Sequence, residues 1–383
     1  MRFIHTSDWH LGRTLHGESL LRPQRAFLEW LTTVAVDRRA DAVLVAGDVY
    51  DRAVPSTDAV QLLDDALAAL AEAGIPVMMT SGNHDSAIRL GFGSSLQRSA
   101  GVHIRTRLRD LTTPLVLRDD FGEVAVYGVP YLLPDAVMDE LDADRSHASV
   151  LRAAVGRIVR DAADRGITRT VALAHAFVTG AVASESERDI RVGGIGDAPG
   201  TVFDGCSFAA LGHLHAPQQI SDRVAYSGSP LAFSFAERHH TKSVTLVELD
   251  AAGGVELELL PVPVHRPLYE VRGRLADLLA RADTDLRDLR HAWVKAVLTD
   301  PSRPLSPMEL LRQKWPHTLV LDFQPDTSCG AAGADLVRVH DAVEPVEICA
   351  AFVEWVDSTL PTREQRDAIQ SAVEAVARAE LSA

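Results

Sequence analysis

The sequence predicts an α/β (α+β) fold in which two packed β-sheets are flanked by helices, followed by a small α/β accessory domain and C-terminal helices. Three observations carry this. Short apolar runs alternate with helical-period segments at the start of the chain, strand-like runs follow one another without long helices after about residue 200, and prolines then interrupt the chain before a second α/β pattern.

Residues 2–6, 42–46 and 75–80 are the first three apolar runs, two of them rich in β-branched residues, which reads as strand. Between the second and third, Val60, Leu63, Leu67 and Leu70 recur at helical spacing, with Ser56 as N-cap and Gly74 as the C′ residue. The pattern is β-α-β-α-β. Further strands are expected near 124–127, 170–174, 208–211, 224–227, 244–249 and 255–260, the later ones suggesting a second, more antiparallel sheet. Pro261, Pro263 and Pro267 mark a boundary, so residues 1–263 are expected to form the main domain and 264–340 an accessory one. Ser306-Pro307-Met308-Glu309 reads as a capping box inside that accessory domain. In residues 341–383, Ile348, Phe352, Trp355 and Val356 mark one amphipathic helix, and Thr362 to Gln365 caps a second carrying Ile369, Val373 and Val376. Two such helices cannot enclose a core, so they pack on the body or on a partner.

Composition narrows the class. Of 383 residues, 46% are hydrophobic, and no apolar stretch reaches the ~20 residues that span a bilayer. The start lacks a basic segment followed by an apolar core, and a cytoplasmic location is the expectation. Cys206, Cys329 and Cys349 are odd in number and far apart, which argues against a thiolate metal site and reads as small core residues. A net charge of −15 argues against a nucleic-acid partner by composition, but bound divalent metals would reverse the charge where a phosphate sits.

Five polar clusters each follow a strand-like run: Asp8-Trp9-His10, Gly47-Asp48-Val49-Tyr50-Asp51, Gly82-Asn83-His84-Asp85, His175, and Gly212-His213-Leu214-His215. Singly, each has an ordinary reading as a chance pair, a self-capping turn or a hydrogen-bonded core histidine. Jointly, they place carboxylates, an amide and imidazoles at the carboxyl ends of strands, where α/β sheets gather ligands. Such donors suit two five- or six-coordinate ions with open positions, Mn, Fe or Zn by ligand type, and phosphate ester hydrolysis is the chemistry of such a pair. The other histidines, His5 among them, follow no such pattern.

The order Asp-x-His, Gly-Asp-x-x-Asp, Gly-Asn-His-Asp, His, Gly-His-x-His resembles the calcineurin-like metallophosphoesterase superfamily. The segments SDWHLGR, AGDVYDR, SGNHDS, AHAFVTG, ALGHLHAPQ and YSGSPLAFSF are similar to its DNA-nuclease branch, whose members work with a coiled-coil ATPase in DNA repair, recombination and replication. The resemblance implies one metal held by Asp8, His10, Asp48 and His215, and a second by Asp48, Asn83, His175 and His213. It implies two divalent ions, with manganese as the usual one, and a non-ligand His84 facing the scissile phosphate with Asp51 or Asp85 near enough to orient it. It further implies a double-strand exonuclease and hairpin endonuclease, a partner ATPase docked on residues 341–383, and a homodimer within a heterotetramer. The stripe Phe27, Leu28, Leu31 and Val34 is an interface candidate, though such a stripe ordinarily faces its own core. A phosphodiesterase or phosphatase with the same centre is the alternative, and nothing predicts a membrane partner.

Overall fold

The computed structural model describes residues 1–182, 186–187, 198–326, 345–357 and 359–380; the side chains of Trp355, Asp357 and residues 376–380 lie outside that description, as do Cys329, His340 and Asp341. Two compact units divide the chain, Met1–Tyr269 and Glu270–Ala383.

The first unit holds two six-stranded sheets. In one, Arg2–Thr6, Ala42–Ala46, Val77–Thr80 and Val102–Arg105 run parallel in that order, and Ser243–Leu249 then Val255–Pro261 extend the Arg2–Thr6 edge antiparallel. In the other, Gly122–Val129, Arg169–His175, Phe208–Gly212 and Val224–Tyr226 run parallel, with antiparallel strands Leu115–Asp119 and Gln218–Ser221 at the edges. The expected antiparallel second sheet is therefore corrected. The strands after residue 200 are shared between the sheets, and the run from 243 to 261 returns to the first.

The reason for the pairing lies in burial. Phe3, Leu44, Met78, Val126, Val171, Leu173, Phe208 and Val247 form the apolar layer between the sheets, and all lie fully inside. On the outer face of the first sheet, helices Leu21–Asp37 and Thr57–Glu72 bury Phe27, Leu28, Leu31, Leu62, Leu63 and Leu70. Helix His147–Asp164 covers the second sheet with Val150, Leu151, Val155 and Ile158. Strands covered on both faces must be near-continuously apolar, as Ala42–Ala46 and Arg169–His175 are. Each large aliphatic side chain withdrawn from water contributes about 1.5–3 kcal/mol.

Several local expectations meet their geometry. Ser56 accepts a hydrogen bond from the Ala59 amide at 3.3 Å, and Gly74 takes φ +70° after the helix. Val60 is 46% exposed, because the buried stripe begins at Ala59 and runs through Leu62 and Ala66. The stripe of helix Leu21–Asp37 faces its own core, with only Val34 partly covered, and offers no interface.

In the second unit, helices Leu275–Arg281 and Pro307–Lys314 pack Leu278 and Leu311 with Val294 and Trp315. Strands Trp293–Leu298 and Thr318–Phe323 run parallel there. Ser306 does not cap its helix: its backbone is left-handed at φ +47° and its hydroxyl meets no first-turn amide. Thr362 does, exchanging hydrogen bonds with Gln365 in both directions. The last two helices, Pro345–Asp357 and Arg363–Glu380, contact each other, while Ile348, Phe352 and Val356 stay 39%, 56% and 41% exposed.

The two sheets of the first unit touch through backbone at one end. His5 Nε2 lies 3.0 Å from the Leu211 carbonyl, crossing from one sheet to the other. At Gly212 an added Cβ would stand 1.9 Å from the Ala46 carbonyl oxygen and 2.8 Å from the Ser7 Cβ. Both neighbours are main chain or fixed by it, so neither yields. Gly212→Ala is expected to cost at least about 1–3 kcal/mol of stability by overpacking, read in urea denaturation; a wild-type midpoint would show that the sheets are not closely apposed there.

Candidate metal centre

Every candidate ligand sits where a parallel strand ends. Arg2–Thr6 leads into Asp8 and His10, Ala42–Ala46 into Asp48, and Val77–Thr80 into Asn83 and His84. His175 closes its strand, and Phe208–Gly212 leads into His213 and His215. The backbone is bent sharply at these points: Asp8, His10 and Asp48 have φ of 53°, 44° and 48°, and His213 has φ 109°. Left-handed backbone on non-glycine residues costs about 1–3 kcal/mol each and is held only where surroundings over-determine it. Here they do. The Asp8 amide donates to the Gly47 carbonyl at 3.0 Å, and His10 to the Asp48 carbonyl at 2.9 Å. The His213 amide donates to both Asp8 carboxylate oxygens at 3.1 Å, tying one sheet to the other.

Glycines make room for this convergence. A Cβ at Gly82 would fall 2.1 Å from Asp48 Oδ1, and one at Gly47 2.6 Å from His175 Nδ1. Three sets of side chains then lie close enough to share an ion: Asp8, His10 and His215; Asp8, Asp48 and His175; and His10, Asp48 and His84. Asp48 stands at the middle, with His10 Nε2 at 3.6 Å, His175 Nε2 at 3.5 Å and His84 Nε2 at 3.9 Å from its Oδ2. Asn83 Oδ1 is 2.9 Å from His175 Nε2, and the His213 ring centroid lies 5.3 Å from that of His175. Asp51 and Asp85 sit differently. The Asp51 carbonyl lies 2.8 Å from His84 Nδ1, and its carboxylate faces His10 Nδ1 and Arg13, each at 3.5 Å. Asp85 accepts from the amides of Val49, Tyr50 and Gly82, which locks the two loops bearing Asp48 and Asn83 together.

Among the described residues, some polar atoms of this cluster find no fitting partner. Burial, then the Asp48 carboxylate, pushes Asp8 well above its ordinary pKa. Burial, then the neighbouring His215, holds His10 well below its own, and among the described residues neither ring nitrogen of His10 has a hydrogen-bond partner. His175 is pushed down to about 3 by burial, so its ring is neutral and has a single N–H. It faces two acceptors, the Ala46 carbonyl and Asn83 Oδ1, each at 2.9 Å. With the Asn83 amide oxygen turned to the ring, one of the two contacts sets lone pair against lone pair. The donor set of carboxylate, amide oxygen and imidazole fits divalent cations, which would neutralise the carboxylates and accept the imidazole lone pairs.

Several residues of the site carry no motif. Glu237 and Lys242 are buried, 1% and 8% exposed, and paired with each other behind His215. Burial works to raise Glu237, but hydrogen bonding toward His215 and the Lys242 charge hold it ionised, down at about 2. Arg13 stacks on Phe233 at 4.6 Å, and the Glu187 carboxylate accepts from the His215 amide at 2.7 Å. The one sequence signal for Lys242 was its rarity: only three lysines stand among 38 basic residues.

Residues 1–217 match the calcineurin-like phosphoesterase family. Over 350 residues the chain is 32% identical to the SbcD component of the SbcCD nuclease of Staphylococcus saprophyticus subsp. saprophyticus, covering 89% of this chain and 90% of that protein. The chain belongs to the calcineurin-like phosphoesterases, in the SbcD branch. Solved structures with some likeness include the calcineurin-like phosphoesterase YfkN from Bacillus subtilis, at TM-score 0.38 and 12% identity over 68% of this chain and 90% of that one. A dimetal phosphatase from Danio rerio matches at TM-score 0.36 and 14% identity over 69% and 99%. Membership in the family makes the protein a phosphoester hydrolase dependent on divalent metal. Among the described residues no helix is long and apolar enough to cross a membrane.

The unmet polar cluster gives a stability prediction with a sign. Manganese at about a hundred times its dissociation constant adds roughly 2.7 kcal/mol to the folded state, so Tm rises by several degrees over a chelated sample. Asp8→Asn removes one of two mutually repelling carboxylates. That variant should melt at or above chelated wild type yet lose the manganese shift, and a chelated variant melting well below wild type would show that the carboxylates do not strain the metal-free protein.

Proposed function

We propose that the protein is a metal-dependent DNA nuclease that trims double-strand ends and cleaves hairpins and single strands, acting with an SbcC-type ATPase in DNA repair, recombination and replication. The observation that carries this is the convergence of Asp8, His10, Asp48, His84, His175 and His215, with Asn83 and His213 beside His175, at the ends of five parallel strands. The relative named as a component of the SbcCD nuclease, matched along nearly the whole chain, supports the substrate class. Asp8, His10, Asp48 and His215 would hold one ion, and Asp48, Asn83, His175 and His213 the other, manganese being the expected metal. Two such ions set positive charge against a phosphoryl group and acidify water beside it.

The chain's own residues supply position and a proton. His84 is not fully enclosed, its side chain 12% exposed, and its Nδ1 is held by the Asp51 carbonyl. Its Nε2 is thereby aimed at the cluster, and in the imidazolium form it gives a proton to the departing oxygen. Asp51 restrains His10 and Arg13 as well, while Asp85 fixes the loops through three amides. The net charge of −15 favours the second reading, a phosphodiesterase or phosphatase for a small molecule or phosphoprotein. The accessory α/β unit, and C-terminal residues 341–383 with Ile348, Phe352 and Val356 exposed, favour DNA and an ATPase partner, since a small substrate requires neither.

End-labelled duplex and hairpin DNA, incubated with manganese and with or without the ATPase, test this directly. Cleavage by wild type is expected, with His84→Gln slower by about 10²–10⁴ at full metal content and Asp48→Asn losing metal and activity together. Hydrolysis of small phosphodiesters with no cleavage of DNA under any condition would establish the second reading instead.

The proposed homodimer has a surface other than the one expected from sequence. Ile88, Phe92 and Leu96, spaced by four, are 81%, 84% and 79% exposed, and Val54 and Val60 are exposed as well. Large apolar side chains left in water on neighbouring segments are candidates for an association face. Phe92→Glu should turn a dimer into a monomer in light scattering without lowering Tm; a variant that stays dimeric, or a wild type that is monomeric at every concentration, would remove this face from the assembly.

A further inference from the structure

Behind His215, away from the ion cluster, lies a buried charged pair to which neither the family motifs nor the proposed reaction gives a role. The Lys242 ammonium donates to the Glu237 carboxylate, to Ser229 Oγ at 3.0 Å and to the His215 carbonyl at 2.9 Å. The other Glu237 oxygen accepts from the Ser186 hydroxyl and from the Phe233 amide at 3.3 Å. Ser186 Oγ in turn lies 2.5 Å from His215 Nδ1, and Glu237 Oε1 itself 3.7 Å away. The directions of these bonds are fixed by chemistry. An ionised carboxylate only accepts, so the Ser186 hydroxyl spends its proton on Glu237 and must accept from His215. His215 therefore carries its proton on Nδ1 and leaves the Nε2 lone pair to the cluster.

We propose that Glu237 and Lys242 are positioning residues for His215: Glu237, through Ser186, selects the imidazole tautomer that can hold a metal, and Lys242 anchors both the carboxylate and the His215 main chain. A buried pair of this kind is a poor stabiliser, since desolvation offsets its attraction, but it is a good means of fixing one geometry. Outer partners that orient a ligating imidazole are worth about 10- to 100-fold in metal affinity. The effect should fall on one ion only, because none of these contacts reaches His175, Asn83 or Asp48. This rests on His215 being a ligand, as proposed above.

Two measurements on the full-length protein test it. In the metal-free protein labelled with ¹⁵N-histidine, wild-type His215 should show the Nδ1–H tautomer, and Glu237→Gln and Ser186→Ala should show a mixture or the other form. Manganese titration by calorimetry should give two bound ions in wild type, one of them held about 10- to 100-fold more weakly in Glu237→Gln and in Lys242→Met. Ser186→Ala leaves the buried pair intact, so it reports even if those two variants fail to fold. An unchanged tautomer and two wild-type affinities in Ser186→Ala and Glu237→Gln would overturn the proposal, as would equal weakening of both ions. His215→Ala is the control on the underlying reading: if it too binds both ions as wild type does, His215 is not a ligand and the metal assignment itself fails.

Discussion

Two carboxylates, Asp8 and Asp48, are buried almost completely beside a group of histidines that burial keeps uncharged. The rest of the first unit can be understood as what it takes to hold that arrangement. Ionised groups in a low-dielectric interior repel strongly and cost several kcal/mol each to desolvate, so the chain cannot place them there by local preference. It places them by scaffold: two apolar sheets with interlocking side chains, and strands whose ends are brought within a few ångströms of one another. Left-handed backbone at Asp8, His10 and Asp48 then turns the side chains inward, and Gly47, Gly82 and Gly212 let the segments approach.

Much of this was legible in the sequence because it is local. A strand end followed at once by its candidate ligand is written in adjacent letters, as in Ala46-Gly47-Asp48 or Leu211-Gly212-His213. Sheet membership was less so. Ser243–Leu249 and Val255–Pro261 are good strands in either sheet, and only the closing of the first sheet's edge on Arg2–Thr6 decides between them. The helix stripe at Val60 was misplaced for a related reason: Ala59 and Ala66 are small enough to read as neutral, yet they are what packs against the sheet. The cap at Ser306 had the right letters and the wrong backbone.

The Glu237–Lys242 pair shows where reading from sequence stops. No spacing rule connects His215 to a glutamate 22 residues later on a short 3₁₀ turn, since the contact exists only once the Val224–Tyr226 strand has paired beside Phe208–Gly212 and the chain has returned. Its meaning is chemical and not topological. A buried carboxylate with a full set of donors has one unambiguous role, to accept, and that single constraint propagates outward through a hydroxyl to an imidazole.

The same reasoning separates the residues of the site by what they can exchange. His10, His175 and Asp48 are enclosed and face one another, with His175 also against the Ala46 carbonyl and Asp48 accepting from the His84 amide. His84 reaches solvent on one side and a backbone carbonyl on the other, a setting that suits the proton transfer proposed for it. Asp85 gives all its capacity to three amides and has little left to trade. On the proposed reading, substitutions at the enclosed residues act first on metal occupancy, whereas His84, whose side chain is 12% exposed, acts on rate. The difference between the proposed ligands and the proposed proton donor is then one of depth.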